Sequence, residues 1–69
     1  MEKEEMLYIA TKYMSKGYSQ EQMRYGDDCY HLKGDEGKRI KDEIADYMSE
    51  ISEIGTIEFY EKYKEFKLF

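Results

Sequence analysis

"DEGKRIKDEIADYMSEISEIG", Asp35 to Gly55, is the stretch that governs the architecture of this 69-residue chain. At about 100° per residue, Ile40, Ile44, Tyr47, Met48, Ile51 and Ile54 share one arc of roughly 120°, the apolar stripe of an amphipathic helix. Asp35 fits an N-cap and Glu36 a first-turn charge, and Gly55 suits the left-handed residue that ends a helix. Asp42, Asp46, Glu50 and Glu53 lie within about 80° of one another opposite that stripe, some 5–6 Å apart along the axis.

Past Gly55, Thr56 is a natural N-cap for "IEFYEKYKEFKLF", Ile57 to Phe69. Phe59, Tyr60, Tyr63 and Phe66 make one helical face, and Glu58 with Lys62 is an i,i+4 pair in the favourable orientation. Before the central stretch, "MEKEEMLYIATKYM" gathers Met6, Leu7, Ile9, Ala10, Tyr13 and Met14 into an arc of roughly 160°, and Gly17 ends this helix. "SQEQ", Ser19 to Gln22, reads as a capping box opening another helix. Tyr25, Cys29 and Leu32 then recur at i, i+4 and i+7, which favours one continuous or kinked helix from 20 to 33 with Gly26 on its apolar face. The alternative is that Gly26 stops a short helix. The expected fold is all-α: a single domain, residues 1–69, built as a small bundle of three to four short antiparallel amphipathic helices.

A chain this short is marginal in the core it can bury. With six Ile, three Leu and no Val, its interior must borrow from five Met, three Phe and eight Tyr. Each buried tyrosine needs a partner for its hydroxyl, so many rings belong at the core margin. The net charge of −5 keeps the chain soluble, argues against direct nucleic-acid binding and favours a partner with a basic surface. One cysteine excludes an intramolecular disulfide, and the acidic N-terminal segment reads as neither secretory signal nor transmembrane span. A cytoplasmic protein with no membrane contact is expected.

Chemically versatile side chains gather in "GDDCYHLKGDEGK", Gly26 to Lys38. Asp27, Asp28, Cys29, His31 and Asp35 are metal-ligand types, but no C-x-x-C, H-x-x-x-H or H-E-x-x-H spacing is present. The segment also lacks the alternating oxygens and final Glu of a calcium loop. On a helix, Cys29 and His31 would point about 200° apart, which defeats both chelation and a Cys–His nucleophilic pair. No enzyme, metal or cofactor is expected, and the segment reads as a joint in which Asp35 caps, Gly34 and Gly37 turn, and Cys29 packs beside Tyr25 and Leu32.

Function then rests on surfaces. The carboxylates Asp42, Asp46, Glu50 and Glu53, with Tyr8, Tyr18, Tyr30 and Tyr60 outside or at the edge of their apolar faces, compose a candidate protein-binding surface. The expectation is a small acidic inhibitor or regulator of phage or mobile-element type. Such a nucleic-acid mimic would block a basic site on a host nuclease or an anti-phage effector such as a CRISPR component. A self-associating homodimer is the alternative. "MSKGYSQEQM", Met14 to Met23, also resembles the opening of the helix–turn–helix in bacterial regulators, which implies a DNA-binding role; the following "RYGDDCYHLKGDEG" departs from that pattern by lacking a basic or amide-rich second helix.

Overall fold

Local signals set most of the helix ends. In the computed structural model, which describes residues 1–68, all regular structure is helical: α1 (Lys3–Ser15), α2 (Gln20–Arg24), α3 (Gly34–Ile54) and α4 (Thr56–Lys62). Gly17 and Gly55 follow α1 and α3 with positive φ of 77° and 90°, which glycine adopts without steric cost; at Gly55 ψ is 159°, an extended turn out of α3 rather than a left-handed helical cap. The capping box is formed: the Gln22 amide donates to the Ser19 hydroxyl at 3.1 Å and the Ser19 amide to Gln22 Oε1 at 2.8 Å.

The fold is a small helical bundle in which α1, α2 and α4 all pack on α3. At ~1.5 Å per residue, the 21 residues of α3 run about 31 Å. That is nearly the full 33 Å length of the molecule. Its buried Ile40, Ile44, Ala45, Met48 and Ile51 meet Met6, Leu7, Ile9, Ala10 and Tyr13 of α1, Met23 of α2, and Phe59, Tyr63 and Leu68 from the C-terminal part. The radius of gyration, 11.3 Å, is close to the roughly 11 Å expected of a compact chain this long. Buried Thr11 turns its hydroxyl to the Tyr8 carbonyl at 2.9 Å, and no buried side-chain nitrogen or oxygen among the described residues lacks a partner.

Several expectations are corrected. Residues 20–33 are not one helix: α2 stops at Arg24 and a series of turns follows. The Cys29 and Tyr30 amides both donate to the Gly26 carbonyl, at 3.1 and 2.9 Å, and the Leu32 amide donates to Cys29 O at 2.9 Å. Tertiary packing overrides the i, i+4, i+7 pattern here. The turns bury Met23 and Cys29 side by side, sulfur to sulfur at 3.7 Å, bring Asp28 within 3.0 Å of Lys12 on α1, and leave Tyr25 74% exposed. Cys29 therefore packs against Met23 rather than Tyr25. The Gly26 backbone lies against the Tyr13 ring, where a β-carbon would collide with the phenolic oxygen.

Asp35 is in the first turn of α3 rather than at its cap, a position held by Lys33, and Thr56 likewise is the first residue of α4 rather than its cap. Ile54, the last residue of α3 and the end of the stripe, is 36% exposed. α4 ends at Lys62, short of its expected run; Phe69 lies outside the described residues. The ammonium of Lys62 goes to Glu50 on α3 instead of Glu58, joining two helices instead of one face of a single helix.

Gly37 does not turn the chain. It is buried within α3, and a β-carbon there would stand 2.5 Å from the carbonyl carbon of Leu32. Gly→Ala in an open helix position stabilises by up to about 1 kcal/mol. At Gly37 the sign reverses: Gly37→Ala is expected to cost about 1–3 kcal/mol in urea denaturation, and a gain would refute the close approach.

Candidate functional site

The residues that the sequence nominates are distributed over three surfaces. Tyr18 and Glu53 come together, lining a groove of about 490 Å³ with Met14, Gln20, Met48 and Ser52 between the α1–α2 joint and the C-terminal half of α3. Tyr8 and Tyr60 share a second groove with Lys12 and Leu68. Tyr30 lies apart from both, in a third groove with Tyr25, Arg24 and three lysines. Tyr8, Tyr18 and Tyr30 are 44%, 42% and 63% exposed, so their rings are available to a partner, and Tyr60 is half-buried.

The four nominated carboxylates of α3 divide in two. Asp42 accepts from Arg24 at 2.7 Å and from Lys38 at 2.9 Å, and these contacts, Lys38 first, hold its carboxyl below the usual 3.8. Glu50 accepts from Lys62 and from the Tyr63 hydroxyl, and its carboxyl is likewise held below the usual 4.5, chiefly by the Lys62 hydrogen bond. Both therefore serve internal clamps, α2 to α3 and α3 to α4. Asp46 and Glu53 are exposed and form no ion pair among the described residues. Seven residues apart, they share one face of α3, about 10 Å from each other along its axis.

The Cys29–His31 pair is separated by the turns themselves. Cys29 is fully buried, with burial the main cause raising its thiol above the usual 9.0, whereas His31 is exposed with its ring edge-on to Tyr30 at 5.9 Å. Among the described residues no three of His, Cys, Asp or Glu converge as metal ligands. No helix there is long and apolar enough to cross a membrane.

What the periodicity missed is the third groove. Arg24, Tyr25, Tyr30, Lys33, Lys38 and Lys41 meet there, drawn from α2, the turns and the first part of α3. Their spacing fits no helical or strand period because residues 25–33 follow none, and the only sequence signal was the density of lysine and arginine from 38 to 41. Compared with known proteins, the chain matches no family model, no curated protein and no solved structure.

Two outcomes follow from this geometry. A buried, proton-retaining thiol is unreactive: Cys29 is expected to resist a disulfide reagent such as dithionitrobenzoate in buffer and to react promptly in denaturant. Reaction at the denatured rate in the native state would overturn its burial. For the clamps, a carboxyl whose folded pKa is depressed contributes stability above its unfolded pKa and loses it as pH falls through the folded one. Urea midpoints should therefore decline from about pH 4.5 downward, and less steeply in Glu50→Gln and Asp42→Asn. An unchanged slope in both variants would remove the clamps from the account.

Proposed function

We propose that the chain is a non-enzymatic protein-binding module, an inhibitor or regulator, that engages a basic partner surface through the groove between the α1–α2 joint and the end of α3. The observation carrying this is the meeting of Tyr18, Met14 and Met48 with the unpaired carboxylate of Glu53 in one groove. Rings and thioethers supply adaptable apolar contact, and carboxylates at the rim select basic partners and speed their approach. Asp46 extends the same charged face. Ile57, in the first turn of α4, is 82% exposed.

The concrete form is a phage- or mobile-element-type inhibitor covering a basic nucleic-acid-binding site on a host nuclease or anti-phage effector, for example a CRISPR component. Small size and a net charge of −5 support it, as analogy with what such an inhibitor needs. Direct DNA recognition is less favoured: residues 25–33, where a helix–turn–helix would place its reading helix, are largely turns. Self-association gains one observation, the exposed Ile54 and Ile57, which a second copy would cover.

The test is affinity capture with the wild type, an Asp46→Lys/Glu53→Lys double variant and Tyr18→Ala, each confirmed folded by circular dichroism. The expected outcome is a basic nucleic-acid-binding partner that the double variant loses, with Tyr18→Ala weakening the complex about tenfold. Undiminished capture by the folded double variant would discard this face. Sedimentation showing a stable dimer that Ile57→Glu disrupts would favour self-association.

A further inference from the structure

The groove around Tyr25 and Tyr30 is opposite in sign to the chain as a whole. Arg24, Lys33, Lys38 and Lys41 line it together with the two rings. The carboxylate that engages them is Asp42, which holds Arg24 and Lys38; Lys33 and Lys41 form no ion pair among the described residues. The nearby acids are directed elsewhere: Asp28 pairs with Lys12, Glu36 with Arg39, and Asp27 faces a different groove beside Tyr18 and Gln22. Asp35 is outside the lining. Four cations facing one carboxylate leave a local excess of positive charge.

The rings are the second part of the site. Tyr25 is 74% and Tyr30 63% exposed, although burying such rings elsewhere would stabilise the fold. Cations combined with exposed aromatic rings are the chemistry that holds a nucleobase by stacking and its phosphate by charge. We propose that this groove binds a free nucleoside phosphate, its base on Tyr25 or Tyr30 and its phosphates on Lys33, Lys41 and Arg24. A nucleotide is favoured over a strand on two counts. The groove, about 430 Å³, falls within the range of small-molecule sites. The net charge of −5 also repels an extended polyanion that would run beyond it. The site is separate from the groove of Tyr18 and Glu53, so neither proposal depends on the other.

The experiment is an amide chemical-shift titration of the full chain with ADP, and in parallel with adenosine, inorganic phosphate and a single-stranded oligothymidylate of about ten residues. Saturable shifts with ADP centred on Arg24, Tyr25, Tyr30, Lys33 and Lys41 are expected, with adenosine and phosphate each at least about tenfold weaker because each supplies half the contacts. Tyr25→Ala and Lys33→Glu/Lys41→Glu are expected to weaken ADP about tenfold or more while the core resonances of Leu7, Ile44 and Phe59 stay in place. Absence of shifts at millimolar ADP, phosphate binding as tightly as ADP, tighter binding of the oligonucleotide, or shifts centred away from this groove would each overturn the proposal.

Discussion

The structure depends on one element having enough apolar surface for all the others. Among the described residues, α3 carries the most extensive packing of each of the other three helices, and it alone is long enough to run nearly the length of the molecule. Below about 70 residues a single core is barely sufficient, so the chain cannot spread its burial over several centres. Leu7, Met23, Ile44, Met48 and Phe59 are buried almost completely and come from all four helices. Each such side chain contributes about 1.5–3 kcal/mol, against a backbone ordering cost of similar size per residue. Removing the α3 stripe would therefore take away the surface on which most of the packing of α1, α2 and α4 rests.

Tyrosine supplies what branched aliphatics do not. Tyr47, Phe59 and Tyr63 form a ring cluster with centroids 4.8 to 6.5 Å apart on the α3–α4 seam. Their hydroxyls are satisfied from α3, Tyr47 by Glu43 at 3.2 Å and Tyr63 by Glu50 at 3.1 Å. Burial, reinforced by Glu43, pushes the Tyr47 hydroxyl up to about 12. Much of the tyrosine excess is therefore structural, a packing ring with a tethered oxygen. The ion pairs have a different role. Solvent screens ion pairs this exposed, so Arg24–Asp42 and Lys12–Asp28 matter more for the register of α2 and the turns than for overall stability.

The helices with long, regular stripes were legible in the sequence; the joint between them was not. α1 and α3 follow from spacing plus their closing glycines, and the Ser19–Gln22 box was written in two residues. The path from Tyr25 to Lys33 was hidden because its decisive contacts are distant in sequence: Lys12 with Asp28, Tyr13 with Gly26, and Met23 with Cys29. Local periodicity cannot register a contact with another helix. The same limit applies to the acidic stripe, where Asp42 and Glu50 share a face with Asp46 and Glu53 but have cations brought to them by α2 and α4. Of the nominated surface, the meeting of Tyr18 with Glu53 is a product of folding, while the dispersal of Tyr8, Tyr60 and Tyr30 required the tertiary arrangement to be seen.

Net charge, finally, is a poor guide to the field at any one place on this molecule. Screening at physiological ionic strength confines exposed charges to about 8 Å, whereas the ends of α3 are about 31 Å apart. The first part of α3 carries Lys38, Arg39 and Lys41, with Arg24 and Lys33 brought beside it by α2 and the turns. The far end carries Glu53 and runs into α4 with Glu58 and Glu61. At the basic end Asp28, Glu36 and Asp42 are matched by Lys12, Arg39, and Arg24 with Lys38, while Lys33 and Lys41 stand without an ion pair among the described residues. The chain is thus acidic in sum and polarised in space, with a cation-lined aromatic groove toward one end and an apolar groove with Glu53 at its edge toward the other.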